Sequence, residues 1–250
     1  MQMIDGKVNG TLFFIMCSVL FTVPFVQGST FAYFTPPFQK DLVTVFSQEG
    51  IINSETQSAI DLGLSYLAAR QHSDGSFGSG NYHHNVAVTS LSAMAMMSAG
   101  NTPGRGKYGQ NVNRAIDFVL SRTGADGFVC DPTSTSHGPM YDHGFGTLFL
   151  AEVYGMTPRS DLRGQLDKAI QLIVRTQNDE GGWRYQPVAR DADVSLTICQ
   201  IMALRAARNA GLHVPKETVN KCISYVKRCQ NIDGGFRYRS EGGGSDFPRS

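Results

Sequence analysis

The short phrase Gln177-Asn-Asp-Glu-Gly-Gly-Trp183 recurs along the chain, and this recurrence indicates how the protein folds. Its other copies are Gln71-His-Ser-Asp-Gly-Ser-Phe77, Thr123-Gly-Ala-Asp-Gly-Phe128 and Gln230-Asn-Ile-Asp-Gly-Gly-Phe236. The closing aromatic residues follow one another after 51, 55 and 53 residues. Such a period is typical of an array in which one supersecondary unit repeats and stacks on its neighbours.

Each unit is predicted to contain two helices. Ahead of the first phrase, Ile60, Leu64 and Leu67 recur at helical spacing after Ser54-Glu-Thr-Gln57, which has the form of a capping box. Matching apolar patterns begin at Ala59-Ile60, Ala115-Ile116, Ala169-Ile170 and Cys222-Ile223. The glycines of the phrase end this helix. A second and more apolar helix follows a loop, and we predict it over residues 86–99, 145–154 and 194–210.

The two kinds of helix differ in their polarity, and this difference predicts two layers. The first helix of each unit is amphipathic, whereas the second is nearly all apolar, and residues 86–99 carry no charge at all. An apolar helix of this kind is buried on most sides. The sequence therefore predicts an all-α protein of stacked helical hairpins, with amphipathic helices outside and apolar helices inside.

The recurring phrase resembles the QW repeat of squalene and oxidosqualene cyclases, which protein prenyltransferase β subunits share. The copy that ends at Trp183 keeps the tryptophan, Phe77 and Phe236 replace it, and Thr123 replaces the glutamine of the second copy. The resemblance runs from about Ala59 to the C-terminus and implies an α/α toroid around a central cavity. In this motif the glutamine satisfies backbone groups at a helix end and the aromatic ring packs on its neighbour.

The toroid is expected to be incomplete. Closed toroids of the family that this chain resembles use about five to seven hairpins, whereas about 3.5 hairpin repeats are visible here, with four outer helices and three inner ones. A fragment of a longer protein and a half that pairs with a partner or with itself are the two explanations.

The first 50 residues are predicted to lie outside the repeat domain. Lys7 precedes an apolar run from Leu12 to Val26, which suits the core of a signal peptide and is short for a membrane span. We predict a signal peptide over residues 1–28, a linker over 29–50 and the toroid domain over 51–250. The protein is therefore expected to be exported, to the periplasm or outside the cell. An uncleaved N-terminal anchor is the alternative.

Composition excludes several classes of function. The formal charge is +1, and hydrophobic residues make up 41% of the chain. A protein that binds nucleic acid needs a concentrated cationic surface, so we expect no nucleic-acid partner. No C-x-x-C pair occurs among the five cysteines, which argues against a zinc ribbon or a redox motif.

Polar residues precede each inner helix, and they are the candidate site. They are His83 and His84 in the first unit, Asp142 and His143 in the second, and Asp191 and Asp193 in the third. If the repeats superpose, His84, Asp142 and His143 lie at the mouth of the cavity with the two aspartates. Aspartate at a helix start is most often a cap, and Asp191 or Asp193 suits that role.

Three chemical alternatives compete with capping. The cyclases that the chain resembles protonate an alkene with the middle aspartate of an Asp-x-Asp-Asp motif, and Asp191-Ala192-Asp193-Val194 matches two of its acids. Asp193 would then be the proton donor and Asp191 its partner. The prenyltransferases bind zinc through an Asp-x-Cys pair, but here Cys199 lies six residues after Asp193. A different metal site from His84, Asp142, His143 and Asp193 is the third alternative.

The sequence favours a binding scaffold over an enzyme, and the enzyme question stays open. The expected ligand is an isoprenoid or another apolar molecule, or else a protein partner, and we expect no cofactor and no metal ligands. The alternative is a divergent terpenoid cyclase that uses Asp193 as its acid, or a prenyltransferase-like enzyme.

Overall fold

The computed structural model describes residues 52–133 and 138–245 of the 250-residue chain. The predicted leader, the linker and Cys17 lie outside the described residues. Within those ranges the chain forms seven α-helices and no strand, which confirms the all-α prediction. The helices are α1 (Ser54–Ala69), α2 (Val86–Ser98), α3 (Gly109–Ser121), α4 (Pro139–Tyr154), α5 (Asp161–Arg175), α6 (Val194–Asn209) and α7 (Lys216–Cys229). A short 3₁₀ turn, Gly80–Tyr82, precedes α2.

The described residues divide after Ala69 into two units, 52–69 and 70–245. The described part of the first unit is α1, whose buried residue is Leu64. The cap of α1 differs slightly from the prediction, because Asn53 Oδ1 accepts a hydrogen bond from Thr56 N at 2.7 Å. Asn53 therefore does the capping expected of Ser54, one residue earlier in the chain.

The second unit is built from two layers of helices. The inner helices pack side by side, α2 against α4 and α4 against α6. Each inner helix also packs against the outer helix that follows it in the chain, α2 against α3, α4 against α5 and α6 against α7. The outer helices bury one face each, and their buried residues include Ile116, Ile170 and Tyr225. The predicted separation into amphipathic outer helices and apolar inner helices is thus confirmed for this unit.

Helix α4 begins six residues earlier than predicted. Proline is favoured in the first turn of a helix, where its missing N–H has no partner to lose, and Pro139 holds that place. Asp142 and His143 consequently lie inside the first turns of the helix, and the prediction that they precede it is wrong.

Hydrogen bonds of the backbone define the true register of the repeats. In each phrase the residue after the glutamine donates to the carbonyl four residues further on, as Asn178 N does to Gly182 O at 3.0 Å. The matching acceptor in the second copy is Phe128. Val129, not Phe128, therefore occupies the place of Phe77, Trp183 and Phe236, and the repeat spacings become 52, 54 and 53 residues.

The same register corrects the first helix. Counting back from the aromatic position, Gly63-Leu64 is the pair equivalent to Ala169-Ile170, one helical turn after the predicted Ala59-Ile60. Leu64 is the buried residue of α1, as Ile170 is buried in α5. Helical periodicity alone tolerates an error of one turn, because residues four apart lie on the same face.

The glutamines of the phrase have the structural role that the resemblance implies. Gln177 Nε2 donates to Gly181 O within its own phrase and to Thr218 O of α7, both at 2.9 Å. Gln71 Nε2 makes the equivalent pair of bonds, to Gly75 O and to Asn111 O of α3, also at 2.9 Å. Each of these glutamines therefore closes its own turn and holds the next outer helix in place.

Candidate ligand-binding surface

Asp193 is the N-cap of α6. Its Oδ1 accepts a hydrogen bond from Leu196 N at 2.9 Å, and its Oδ2 accepts one from the Tyr238 hydroxyl at 3.2 Å. The side chain is fully buried. Burial raises the pKa of Asp193, although the hydrogen bonds and the nearby Arg184 oppose that rise. The capping prediction is confirmed for Asp193, and both oxygens of the carboxylate have partners within the protein.

Asp191 lies apart from this cap. It is exposed, and its Oδ2 is 2.9 Å from Nη1 of Arg184 in an ion pair. The guanidinium group of Arg184 also lies over the rings of Tyr185 and Tyr238, at 5.0 and 5.8 Å from their centres. Asp191 thus helps to position an arginine that covers two phenol rings.

Asp142 and His143 are both fully buried. Asp142 Oδ1 accepts a hydrogen bond from Ala87 N at 3.1 Å, so the acid of α4 satisfies a free N–H group in the first turn of α2. The Cys130 thiol lies 3.8 Å from the other carboxylate oxygen. Burial, with Asp142 as the second cause, raises the pKa of Cys130 to about 12.

His143 takes part in a bond that recurs in the other repeats. Its Nδ1 accepts a hydrogen bond from Val129 N at 3.1 Å, so Nε2 carries the proton and donates to Ala169 O at 3.2 Å. Burial lowers the pKa of His143 to about 4, which keeps the ring neutral. Thr89 and Thr197 accept the equivalent bonds from Phe77 N and Trp183 N, at 2.9 and 3.1 Å. His143 therefore replaces a threonine whose role is structural.

His84 belongs to a separate group of side chains. Its Nδ1 lies 2.7 Å from Asp74 Oδ2 and 2.8 Å from Ser76 Oγ. In the ranges that the structure describes, no three His, Cys, Asp or Glu side chains are arranged as ligands of one metal ion. His84, Asp142, His143 and Asp193 thus have different partners and do not form a common cluster. The assignment of these residues to a catalytic site or to a cavity mouth stays a prediction.

The inner helices leave an apolar surface open on the side away from the outer layer. On α2, Leu91 is 46% exposed and Met94 is half-buried on the same face. On α6, Ile198 and Met202 are 39% and 47% exposed. These exposed apolar side chains lie on the two inner helices that flank α4, and each pair follows helical spacing, whereas single exposed hydrophobic residues are ordinary.

The central helix α4 lies between these two edges and has three half-buried residues on one face. Tyr141 and Phe145 are half-buried near its N-terminus, and Glu152 is half-buried near its end. The Tyr141 hydroxyl is hydrogen-bonded to Ser195 of α6. Burial raises the pKa of Glu152, and the charge of Arg205, also on α6, opposes the rise. These two pairs align the half-exposed face of α4 with that of α6.

We define the inner-helix surface by the exposed and half-buried residues of these three faces. They are Val88, Leu91 and Met94 on α2, Tyr141, Phe145 and Glu152 on α4, and Ser195, Ile198, Met202 and Arg205 on α6. Its middle is apolar, and its polar groups lie at its two ends.

A cluster of tyrosines at one end of this surface was missed by the sequence analysis. Tyr185 and Tyr238 share a hydrogen bond between their hydroxyls, and Tyr141 lies 6.2 Å from Tyr185 between ring centres. Backbone bonds fix them, since Tyr185 O accepts from Met140 N and Tyr238 O accepts from Val194 N. A repeated signal was present for two of them, because Tyr185 and Tyr238 each follow an aromatic residue and an arginine, in Trp183-Arg-Tyr185 and Phe236-Arg-Tyr238.

The sequence of the chain identifies its family. A family model described as the prenyltransferase alpha-alpha toroid domain matches residues 52–186 and, in a second and overlapping match, residues 159–245. The chain belongs to this family. The predicted α/α toroid and the predicted relationship to the prenyltransferase and squalene cyclase repeat proteins are therefore confirmed. No curated protein matches the chain.

Membership of the family accounts for the hairpin repeats and not for an activity, because one fold supports many functions. The zinc-binding reading drawn from prenyltransferases also has little support in the geometry. Cys199 is buried on α6, and in the described residues it belongs to no group of three side chains that could hold a metal ion.

Proposed function

We propose that this chain is a binding scaffold, and that the inner-helix surface binds an apolar ligand or an apolar segment of a protein. The observation that supports the proposal most is the exposure of Leu91, Ile198 and Met202 on the inner layer. Exposed apolar side chains on helices that are otherwise buried are typical of a binding surface.

The polar residues around the surface support binding rather than chemistry. Asp193 and His143 each have both of their polar side-chain atoms bonded within the protein, and Asp142 satisfies the backbone of α2. Groups that are committed to such bonds keep the helices in place. The half-buried methionines, such as Met94, can adapt their shape to different apolar ligands.

Native mass spectrometry of the purified chain, followed by extraction with organic solvent, tests this proposal. We expect an apolar molecule or a protein to co-purify with the wild-type chain. Met202→Glu places a charge among the exposed apolar residues of α6 and should reduce the bound amount at least tenfold. Ile232→Glu is the matched control, because Ile232 is fully exposed on the loop after α7. Equal loss from both variants, or an empty wild-type chain, would contradict the proposal.

A divergent terpenoid cyclase is the second candidate, and one observation favours it. Burial raises the pKa of Asp193, as a proton donor requires, and the rings of Tyr185 and Tyr238 lie nearby. Asp193→Asn keeps a good N-cap but cannot donate the proton. If the chain is a cyclase, incubation with squalene should give a cyclised product that Asp193→Asn abolishes. No product from either protein would remove this candidate.

We also propose that the chain is exported, because Lys7 and the apolar run from Leu12 to Val26 have the form of a signal peptide. No helix in the described ranges is long and apolar enough to cross a membrane. The intact mass of the protein from the native host tests the proposal. Loss of about 28 residues is expected, whereas an uncut N-terminus would support the anchor instead.

A further inference from the structure

The phrases of the first three repeats each pack against the next outer helix at one glycine. A Cβ added at Gly75, Gly127 or Gly181 would lie 2.2, 2.5 or 2.2 Å from the backbone of α3, α5 or α7, respectively. The residues approached stand fifteen places before the aromatic position of their own repeats. They are Arg114, Lys168 and Lys221. Only glycine permits so close an approach of two backbones, and this contact is the junction between successive repeats.

The fourth phrase has the same glycine without a helix against it. Gly234 has a φ of +86°, as Gly127 does, but within the described residues no atom beyond its chain neighbours would lie within 4 Å of an added Cβ. Gln230 donates to Gly234 O, and in the same part of the chain it has no equivalent of the bond from Gln177 to α7. Ile232 is fully exposed. We call Gln230, Ile232 and Gly234 the tail surface.

Helix α1 has the complementary surface, since it is an outer helix that precedes all four phrases. Leu62 stands fifteen places before the aromatic position, so it is the equivalent of Lys221, and it is 72% exposed. Tyr66 is 55% exposed, whereas Tyr225 at the equivalent place in α7 is buried. An added Cβ at Gly182 would lie 3.1 Å from the Tyr225 ring, so this place packs on the preceding phrase. We call Leu62 and Tyr66 the head surface.

The two surfaces are apolar at places where the third junction is charged. Asp179 and Lys221 line one groove between the third phrase and α7. The residue equivalent to Asp179 in the last phrase is Ile232, and the residue equivalent to Lys221 in the first outer helix is Leu62. A charged pair is stable beside water, whereas two large apolar side chains gain free energy when they cover each other. The tail and head surfaces therefore match in chemistry as well as in their place in the repeat.

We propose that the tail surface of one chain binds the head surface of a second copy, with α1 of the second copy in the place that α7 occupies against the third phrase. Gln230 then donates to the backbone carbonyl of Ala59, which is equivalent to the acceptor of Gln177 in α7. The contact is heterologous, because it joins two different surfaces of the chain. It uses no residue of the inner-helix surface, so it is independent of the proposed function.

Sedimentation velocity of the purified chain and of two single variants tests the proposal. Ile232→Glu alters the tail and Leu62→Glu alters the head, and both residues are exposed within their own chain. Each variant alone should associate at least tenfold more weakly than the wild type, because the contact would bury an unpaired carboxylate. In an equal mixture, one variant keeps its tail and the other keeps its head. The mixture should therefore form pairs of chains and no larger species, and this recovery also shows that both variants are folded.

Two controls separate this contact from other effects. Val188→Glu is the matched control, since Val188 is 48% exposed on a loop outside both surfaces, and it should associate like the wild type. Met202→Glu should also associate like the wild type, and Ile232→Glu should keep the apolar molecule bound to the inner-helix surface. Each of the two proposals can therefore fail alone. A wild-type chain that stays monomeric at millimolar concentration, or a mixture of the two variants that stays monomeric, would overturn the head-to-tail contact.

Discussion

The second and third repeats make the same backbone hydrogen bond between the repeated phrase and the inner helix, but with different residues. In the third repeat, Trp183 is buried, its indole N–H donates to Ile173 O at 2.7 Å, and its backbone N–H donates to Thr197. In the second repeat, Val129 takes the place of the tryptophan and its backbone N–H donates to His143. The comparison shows that the backbone bond to the inner helix is maintained while the side chains on both sides of it change.

The largest expected difference between the two repeats concerns the buried side chain at this position. Trp183→Ala should lower the free energy of unfolding by about 3–5 kcal/mol, because it leaves a large cavity. It also leaves Ile173 O without its donor. Val129→Ala removes only two methyl groups and should cost about 2 kcal/mol. Urea denaturation of the two variants measures both values, and equal losses would contradict the expectation that the larger buried side chain contributes more to its repeat.

The second prediction concerns how stability depends on pH. Of the two side chains that accept this backbone bond, His143 can be protonated and Thr197 cannot. The pKa of His143 is about 4 in the folded chain and about 6.5 when the histidine is exposed. Above pH 6.5 the ring is neutral in both states. Between pH 6.5 and pH 4 the unfolded chain binds a proton that the folded chain excludes. The free energy of unfolding therefore decreases by up to about 3 kcal/mol as the pH is lowered from 6.5 to 4.

His143→Thr is the control for this effect, because it copies the acceptor of the third repeat. The unfolding free energy of both proteins is measured from pH 7.5 to pH 4. The carboxyl groups contribute equally to both profiles, so the difference between the profiles isolates His143. We expect that difference to change steadily below pH 6.5, and parallel profiles would contradict a neutral and buried imidazole.

The third prediction removes the acceptor of the third repeat without changing its shape. Thr197→Val keeps the volume of the side chain but leaves the buried N–H of Trp183 without a partner. This should cost about 1–3 kcal/mol, the usual penalty for an unsatisfied buried donor. Thr197→Ser retains the hydroxyl and should lose less, mainly through the missing methyl group. A higher free energy of unfolding for Thr197→Val than for Thr197→Ser in chemical denaturation would show that the hydrogen bond from Trp183 N to residue 197 does not stabilise the repeat.

The smallest expected effect concerns the glutamines. Gln177→Ala removes bonds to two carbonyls, one of them in α7, and should cost about 1 kcal/mol. Gln230 is exposed, and its side-chain amide donates to Gly234 O within the phrase at 3.2 Å, so Gln230→Ala should cost about half as much. Thermal unfolding of the two variants, measured side by side, ranks them. The opposite order would contradict the role of Gln177 in holding the next outer helix.

The repeated phrase and the helical periodicity were sufficient to predict the two layers, because both follow from local sequence. They could not give the register of the second repeat, where an aromatic residue, Phe128, stands one place before the equivalent position. The start of α4 was missed for a related reason. Pro139 can begin a helix or end a turn, and contacts with neighbouring helices decide between these.

The candidate site was harder to predict than the fold. The capping role of Asp193 follows from its position before an apolar helix, and the structure confirms it. The partners of Asp142 and His143 lie in other repeats, at Ala87 and Ala169, and sequence spacing does not reveal such contacts. Tyr185 and Tyr238 were not predicted, because they lie two places after the aromatic residue of the phrase and not directly before an inner helix.

Two claims are central: the inner-helix surface binds an apolar ligand or an apolar protein segment, and Asp193 supports the fold. The most direct test is the amount of extracted apolar molecule or bound protein per chain in Asp193→Asn and in Met202→Glu, measured by native mass spectrometry. The account predicts that Asp193→Asn retains the amount found in the wild type and that Met202→Glu loses most of it. Loss in Asp193→Asn with full retention in Met202→Glu would contradict the account and place the function at the carboxylate.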